Sequence, residues 1–319
     1  MDSSTQDGDP AGADSARPSA GGIALVGAIA FVWGLNWPAI RITVQEISPW
    51  TFRAVCLVLA TAVLFGISLA SRTRIAIPKR EIAPLALVAF FNVTAWHMLT
   101  AFGLTIMEAS RGILLAFTFP VWSVLIGAVV LRERLTPGRL VALALGLAAM
   151  VLLMGAEITR VGGAPLGGAL LVGAAISWAV ATAMLKRIRW TLGSRELAAW
   201  QVLIGGLPIV VGALVFDGPT DFTALSTPAV VGLIYSSVIA AAIGQWIWFR
   251  IVDLMPASVA SISSLAIPVV GVFSSALLLG EAVTWRELAA LALVLAALSI
   301  ILLGGRGMAA WRRAAGRNG

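Results

Sequence analysis

Met107-Glu108-Ala109-Ser110 recurs 148 positions later as Met255-Pro256-Ala257-Ser258, and the repeat that contains this pair decides the fold. The same offset aligns identical residue types further along the chain: Pro120 with Pro268, Glu133 with Glu281, and Thr136 with Thr284. The earlier parts of the two copies match more weakly, chiefly through Trp33 and Trp178, which are 145 positions apart. Self-similarity over this length predicts two copies of one structural unit.

The composition is that of an integral membrane protein. Of the 319 residues, 60% are apolar and 12% are charged, and the mean hydropathy is +0.97. Soluble domains carry about 25% charged residues. Apolar runs of about 20 residues recur along the chain, and each is long enough to cross a hydrocarbon core. Since the period-2 alternation of strands is absent, helices rather than a barrel are expected to satisfy the backbone.

Loop-like breaks divide the apolar runs into ten predicted spans, near 22–41, 50–70, 83–105, 109–131, 138–155, 166–187, 196–216, 228–250, 257–279 and 286–304. Two copies of five spans, an odd number, must lie in opposite orientations. We therefore predict an all-α integral membrane protein with ten transmembrane helices, arranged as two five-helix inverted repeats around a central cavity. Residues 21–156 and 165–305 form the repeats, between a disordered tail at 1–20 and a basic tail at 306–319.

Basic residues predict the orientation of these spans. If the N-terminus is inside, 17 of the 22 Lys and Arg residues fall on the inner side and five on the outer side, namely Arg41, Arg53, Arg111, Arg160 and Arg286. Cytoplasmic loops carry the excess of basic residues, so both termini are expected to be cytoplasmic. The net charge of +7 then reflects topology rather than nucleic-acid binding.

Several motifs are missing, and their absence narrows the function. The chain has no phosphate-binding loop for ATP, no nucleophile elbow and no His-Glu-x-x-His zinc motif. The single cysteine, Cys56, excludes a Cys-based metal cluster, and neither a metal nor a cofactor is expected. None of the predicted spans carries a deep Asp or Glu, unlike typical proton-driven pumps. Residues 1–20 lack a basic n-region and do not form a signal peptide.

Pro120 and Pro268 lie near the middles of spans 4 and 9. A proline removes a backbone donor and kinks a helix, which can expose carbonyl groups to a cavity. One interpretation is a static kink that neighbouring helices accommodate. The matching positions favour a gating or hinge role, since broken helices at equivalent positions are typical of transporter sites.

Glu133 and Glu281 end spans 4 and 9, and Thr136 and Thr284 follow them as caps of the next helices. The run Thr284-Trp285-Arg286-Glu287 fits a capping box. We interpret both glutamates as structural residues that bind the free N–H groups of the helix that follows each of them. The alternative is a proton-coupling carboxylate, but such groups usually lie deeper in the membrane.

His97, the only histidine, lies in the middle of span 3, and Gln245 is its equivalent in the second copy. A buried polar group in a bilayer is costly and tends to face a cavity or the bundle interior. The functional interpretation is substrate binding by His97 together with its neighbours Trp96 and Thr100. The alternative is a hydrogen bond that ties two helices together.

The remaining cavity candidates are aromatic or neutral polar side chains within the spans: Trp33, Trp122, Trp178, Asn36 and Ser263. Tryptophans can wall a cavity for flat or apolar solutes, and they can hold ammonium groups. Hydroxyl and amide groups can bind a zwitterion without a buried charge. Each tryptophan can equally serve packing, and each polar group can equally join two helices.

Several of these stretches resemble the EamA-domain exporters of the drug/metabolite transporter superfamily, over about residues 22–305. They are the start Trp33-Gly34-Leu35-Asn36-Trp37-Pro38 and the junctions Leu131-Arg132-Glu133-Arg134-Leu135-Thr136 and Leu279-Gly280-Glu281-Ala282-Val283-Thr284. Trp96-His97 and the abundant tryptophans resemble the YddG-type aromatic amino-acid exporters. This resemblance implies export of aromatic and other neutral amino acids across the bacterial inner membrane. It also implies a cavity that contains His97, Trp33, Trp178, Thr100 and Trp122.

The expected mechanism is alternating access, in which the two halves rock around a mid-membrane cavity with hinges near Pro120 and Pro268. Without a deep carboxylate, transport is expected to run as facilitated diffusion, and His97 is the only deep group left for proton coupling. The alternatives are proton-coupled export of other metabolites or drugs, and an intramembrane enzyme in which His97 activates a serine. The expected partners are a small-molecule substrate and membrane lipid, and a monomer of ten spans can enclose its own cavity.

Overall fold

The computed structural model describes residues 20–70, 76–130, 132, 135–159, 165–254 and 257–315, and this part of the chain contains no β-strand. The first half holds α1 (Ala20–Gly34 and Asn36–Thr43), α2 (Pro49–Ala70), α3 (Lys79–Ala89, Phe90–Ala95 and Trp96–Ile106), α4 (Ala109–Ala116 and Phe119–Val130) and α5 (Pro137–Thr159). The second half holds α6 (Pro165–Arg187), α7 (Ser194–Gly212 and Ala213–Asp217), α8 (Thr227–Ile234, Tyr235–Ile243 and Gly244–Leu254), α9 (Ala257–Leu279) and α10 (Trp285–Ala315).

The helices have the length and surface of membrane spans. Eight stretches, one in each of α1 to α8, are apolar and long enough to cross a bilayer, and α9 adds the shorter apolar stretch Ala266–Leu279 among the described residues. Large apolar side chains point outward on these helices, with Val129 and Leu277 more than four-fifths exposed. In water such a surface would favour aggregation, whereas in a bilayer it contacts lipid. The protein is therefore an all-helical, multi-pass membrane protein, and the exact number of ten spans stays a prediction.

Helices pack in pairs that follow the sequence repeat. Three helices of the first half, α2, α4 and α5, each contact their own counterpart in the second half, namely α7, α9 and α10. In addition, α1 packs on α9 while its counterpart α6 packs on α4. This exchange is expected for two equivalent halves related by a pseudo-twofold axis. The largest core cluster centres on the first part of α4, and α1, α3 and α10 contribute several of its other buried residues.

A π-helical segment interrupts both α3 and α8. In α3 it covers Phe90–Ala95 and in α8 Tyr235–Ile243, and a shift of 148 residues brings the first inside the second. A π turn widens the helix and changes the pairing of its carbonyl groups. In each segment one carbonyl accepts a side-chain hydrogen bond: Ser177 donates to Phe91 over 2.6 Å, and Trp33 donates to Ala240 over 3.2 Å. The two halves therefore share a second feature, which the sequence did not predict.

The predicted proline kinks differ between the halves. Helix α4 is interrupted between Ala116 and Phe119, just before Pro120, whereas α9 runs through Pro268 as one α-helix. The hydroxyl of Thr118 donates to the carbonyl of Leu115 over 2.6 Å, which holds the interruption in place. The residue at the equivalent position of α9 is Ala266, which has no hydroxyl. The hinge role of both prolines stays a prediction.

Helix α4 begins at a cap supplied by the other half of the protein. The Glu281 carboxylate accepts hydrogen bonds from the backbone N–H groups of Ala109 and Ser110, over 2.7 and 2.8 Å. The prediction that Glu281 caps the helix that follows it was therefore wrong. The reason is local, since Gly280 ends α9 with a φ of 66°, a left-handed conformation that redirects the chain. Its equivalent Glu133 lies outside the described residues.

The helices that follow both junctions have caps of their own. At the start of α10 the carboxylate of Glu287 accepts hydrogen bonds from the backbone N–H of Thr284, over 2.8 Å, and from its hydroxyl. The Thr284 hydroxyl in turn accepts from the N–H of Arg286 rather than from that of Glu287. One hydrogen bond of the predicted capping box, from the Thr284 N–H to Glu287, is therefore present, and the hydroxyl caps the preceding N–H instead. At the start of α5 the hydroxyl of Thr136 accepts from the N–H of Arg139 over 3.4 Å. Both threonines therefore lie at helix junctions, away from the centre.

Candidate functional site

Five aromatic side chains from four helices form a continuous row across the centre of the protein. The row consists of Trp37 on α1, Phe117 and Phe119 on α4, Trp178 on α6 and Trp96 on α3. Successive ring centroids lie 6.5, 5.9, 6.1 and 4.8 Å apart. The tilted and edge-on contacts are those that aromatic rings prefer. Because Trp178 belongs to the second half and the other rings to the first, the aromatic row crosses the interface between the repeats.

Trp33 lies outside the aromatic row. Its ring contacts Trp248 with centroids 5.6 Å apart, and the structure does not bring it to Trp178. The repeat explains this separation, because the equivalent of the Trp96–Trp178 contact is a contact between Gly244 and Trp33. A Cβ atom on Gly244 would lie only 2.6 Å from the indole nitrogen of Trp33. Of the four tryptophans predicted to wall one cavity, Trp33, Trp96, Trp122 and Trp178, the structure brings Trp96 and Trp178 into contact and places Trp33 against Trp248.

Trp122 and the polar candidates lie in different settings. The indole N–H of Trp122 donates to the hydroxyl of Thr118, one turn earlier in α4, over 3.3 Å. Asn36 begins the second part of α1, and its side-chain oxygen is buried without a partner among the described residues. Gln245 is partly buried on α8. The backbone of Ser263 belongs to α9, whereas its side chain lies outside the described part of the structure.

A polar cluster adjoins the Trp96 end of the aromatic row. The Thr100 hydroxyl donates to the carbonyl of Trp96 over 2.8 Å and also lies 3.1 Å from that of His97. Arg53 of α2 donates from Nε to the His97 carbonyl over 3.2 Å and from its terminal nitrogen to the Thr100 hydroxyl over 3.1 Å. The imidazole Nδ1 of His97 is buried, and no described residue bonds to it. Thr100 therefore connects His97 with a buried arginine.

Sequence reasoning placed Arg53 at the outer membrane surface, where it counted only toward topology. In the structure its side chain is 4% exposed and extends from the first turns of α2 to the middle of α3. The only available signal was its place as the fifth residue of a long apolar helix. The direction of the side chain depends on the neighbouring helix, which the sequence pattern does not specify.

A buried ion-pair network lies near the start of α4 and the start of α10. Arg111 contacts the carboxylate of Glu287 over 2.8 Å and that of Glu108 over 3.1 Å. Arg41 at the end of α1 donates to the carbonyl of Leu104 at the end of α3. Arg41 and Arg111 were predicted to lie at the outer surface and Glu287 at a helix start. In the structure Arg111 pairs with Glu287, whereas Arg41 binds a backbone carbonyl. These contacts tie α1 to α3 and α4 to α10.

An open cavity of about 590 Å³ lies between the α1–α2 and α7–α8 connections, and its lining includes Glu46, Asp217 and Asp221. These acids bind helix starts. Asp217 accepts from the N–H and hydroxyl of Thr51, and Glu46 from those of Ser226. The bonds from Ser226 hold the pKa of Glu46 below its ordinary value. Because these carboxylates already accept hydrogen bonds from helix starts, we interpret the cavity as a helix-capping region.

The fold and the central site together define a multi-pass membrane transporter. The chain belongs to the EamA-like transporter family, whose model matches it twice, over residues 20–155 and 165–303. The family and the helical architecture agree with the resemblance noted from the sequence. This membership implies that the protein is embedded in a membrane and acts on a small-molecule substrate.

Related proteins cover nearly the whole chain. The chain is 28% identical over 291 residues to a "Probable amino-acid metabolite efflux pump" of Salmonella typhimurium (strain LT2), covering 87% of this chain and 93% of that protein. A protein of the same name in Escherichia coli (strain K12) is 27% identical, covering 90% and 95%. "Uncharacterized transporter YoaV" of Bacillus subtilis (strain 168) is 22% identical, covering 80% and 88%. One solved crystal structure, 19% identical, shares the fold with a TM-score of 0.60, covering 89% and 99%.

Proposed function

We propose that the protein exports amino acids and amino-acid metabolites, aromatic ones among them, by alternating access. The observation that carries this proposal is the contact of the aromatic row with the polar cluster at Trp96 and His97, across the interface between the repeats. Aromatic rings can receive an apolar side chain, while neighbouring polar groups receive the charged end of an amino acid. Two relatives named as amino-acid metabolite efflux pumps, at 27% and 28% identity, support the same substrate class.

In the proposed cycle the aromatic row separates when the two halves rock relative to each other. The row joins helices of both repeats, so a rocking motion opens the contact between Trp178 and its neighbours Trp96 and Phe119. A substrate ring then takes the place of the ring–ring contact. The interruption before Pro120 supplies the bend on the α4 side of this opening.

Transport is proposed to follow the substrate gradient. The polar groups found next to the aromatic row are an imidazole, a hydroxyl and a guanidinium, and none of them is a carboxylate. A carboxylate at mid-membrane is the usual proton carrier of coupled pumps. The proposed location is the bacterial inner membrane, with both termini in the cytoplasm, as the bias of basic residues indicates.

Trp178→Ala tests the substrate site. The variant is expected to weaken transport of phenylalanine and tryptophan strongly and that of alanine little, because it removes the ring that contacts both Trp96 and Phe119. The measurement is uptake of radiolabelled amino acids into liposomes that contain the purified protein. Trp248→Ala, which removes the partner of Trp33 outside the aromatic row, is the matched control. Equal losses for aromatic and small substrates in Trp178→Ala would show that Trp178 serves packing alone.

The same liposomes test the driving force. An imposed pH gradient is expected to leave the final distribution of phenylalanine unchanged, since the proposed mechanism moves no proton with the substrate. Accumulation of phenylalanine against its own gradient under a pH gradient would replace facilitated diffusion with proton coupling.

A further inference from the structure

We propose that Arg53 binds the carboxylate of the transported substrate, with His97 and Thr100 holding its guanidinium in place. This inference rests on the proposed function and names the chemical group that the site selects. The ligand class is a small organic carboxylate with an apolar or aromatic side chain, bound with its carboxylate at Arg53 and its side chain against Trp96.

The first observation is an unpaired charge. Arg53 is 4% exposed, and among the described residues no carboxylate pairs with it. Arg111 is almost as buried, at 7%, but it is paired with Glu287 and Glu108. A buried charge without a counter-ion is costly, and in a membrane span such a residue commonly marks a binding site or pathway. Arg111 is therefore neutralised by acidic side chains of the protein. The charge of Arg53 is left for a partner other than the described residues.

The second observation is the supply of free donors. A guanidinium carries five N–H groups. Nε of Arg53 binds the His97 carbonyl, and one terminal nitrogen binds the Thr100 hydroxyl. The other terminal nitrogen makes no hydrogen bond to a described residue. A guanidinium fixed on one side and free on the other is suited to a two-point contact with a carboxylate, which is the pairing that arginine prefers.

The third observation is the position of the guanidinium. Both acceptors of Arg53, His97 and Thr100, lie within one turn after Trp96, whose ring ends the aromatic row. The His97 Nδ1 atom, buried and without a described partner, lies in the same turn. The Phe52 ring packs 4.9 Å from the guanidinium carbon and restricts its orientation. A substrate that spans from Arg53 of α2 to Trp96 of α3 would thus meet a charged group at one end and an aromatic ring at the other.

Arg53 could instead serve only to hold the His97 carbonyl, and the experiment separates the two roles by the chemistry of the ligand. The probes are L-phenylalanine, L-phenylalaninamide and 3-phenylpropionate, so the carboxylate and the amine are varied independently. Binding to the purified full-length protein is measured from the ligand-dependent rise of the unfolding temperature, and transport is measured in liposomes. If Arg53 only holds the helix, its substitution should change the binding of all three probes alike.

In the unmodified protein, phenylalanine and 3-phenylpropionate are expected to bind at least about tenfold more tightly than phenylalaninamide. Arg53→Gln should remove this preference by weakening the two carboxylates about tenfold or more, while the amide changes less than about twofold. Arg53→Lys keeps the charge but loses the two-point contact, and an intermediate preference is expected. The matched control is Arg187→Gln, which removes an exposed arginine that also donates to a carbonyl, and it should change nothing.

Two results would overturn the role of Arg53: equal affinity of the unmodified protein for phenylalanine and phenylalaninamide, or equal weakening of both in Arg53→Gln. Transport of phenylalanine in either case would leave the proposed function standing. If the unmodified protein neither binds nor transports any of the three probes, the proposed function and the inference both fail. Should Arg53→Gln not fold, the comparison of the acid with the amide in the unmodified protein and in Arg53→Lys decides the question.

Discussion

At the scale of single residues, one difference separates the two halves of the central region. Trp96 in the first repeat corresponds to Gly244 in the second, and each faces the tryptophan of the opposite half. The large residue builds a ring pair with Trp178, with centroids 4.8 Å apart, whereas the small one admits the ring of Trp33. This difference between the repeats places a pair of rings, Trp96 and Trp178, on one side of the interface. On the other side it allows the close contact of Trp33 with Gly244. The proposed substrate site therefore lies where the two repeats differ.

Gly244→Ala tests this packing. The added Cβ would lie 2.6 Å from the Trp33 indole nitrogen, which is held by its bond to Ala240 and its contact with Trp248. The variant is expected to lower the free energy of unfolding by about 1–3 kcal/mol, the usual cost of overpacking. The measurement is thermal unfolding in detergent. Gly27→Ala, where nothing lies within 4 Å of an added Cβ, should be neutral, and equal effects of the two substitutions would contradict the packing described here.

Side chains that act on their own sequence neighbours were the predictable ones. The contact between Thr284 and Glu287 follows from a spacing of three residues, and the structure contains the hydrogen bond from the Thr284 N–H to the Glu287 carboxylate. Arg53 and Glu281 act on other helices, 44 and 172 positions away in the chain. Their partners depend on how helices are arranged in three dimensions. No local pattern in the sequence carries that information.

At the scale of helices, α3 and α8 each combine α-helical turns with a π-helical segment. The π segments of α3 and α8 directly precede Trp96 and Gly244, so they set the direction of the residues at the interface. Apolar composition predicted most helices to within about four residues, as for α2 at Pro49–Ala70 against the expected 50–70, whereas α10 runs to Ala315 and the predicted span ends at 304. It could not predict the π segments, because an apolar run satisfies an α turn and a π turn equally well.

Thr118→Ala tests whether the interruption of α4 takes part in transport. The variant makes the site resemble Ala266 of α9, where the helix is continuous, and it removes the bond from Thr118 to the Leu115 carbonyl. We expect a several-fold slower transport with little change in unfolding temperature, because a straighter α4 resists the bend between two access states. The measured quantity is the initial rate in liposomes at saturating substrate.

Ser123→Ala is the control for this substitution. Ser123 donates to the Phe119 carbonyl over 2.9 Å within the regular part of the same helix, so its removal should leave the rate unchanged. If both hydroxyl deletions slow transport equally, the interruption before Pro120 has no special role.

At the scale of the whole molecule, the two repeats are joined where α4 and α10 begin, which is the outer end in the orientation that the basic residues predict. Arg111 and Glu287 are both buried and 2.8 Å apart, and Glu281 of α9 caps α4 across the repeat interface. An outward-open state requires these contacts to separate. The repeat predicted that the halves would pair, but equivalent sequences occur at both ends of the molecule. Which end is closed is a property of the conformation and was not predictable from the repeat.

Glu287→Gln tests the outer closure. The amide keeps an oxygen that can cap Thr284 but removes the charge that pairs with Arg111, so the outer end should open more often. The readout is alkylation of a Ser110→Cys reporter, in a Cys56→Ser background, by a maleimide that cannot cross membranes. Glu287→Gln should label several-fold faster than the reporter alone. Glu108→Gln removes the more exposed partner of Arg111 and should have a smaller effect, so equal labelling in both variants would argue against the closure.

The central claim is that the interface between the repeats, at the aromatic row and Arg53, is the substrate site of an amino-acid exporter. The most direct measurement is counterflow, the uptake of trace radiolabelled phenylalanine into liposomes preloaded with unlabelled phenylalanine. We predict saturable counterflow in the unmodified protein and its loss in Arg53→Gln and Trp178→Ala, with Arg187→Gln unaffected. Counterflow no greater than in protein-free liposomes, or undiminished in both site variants, would contradict the account.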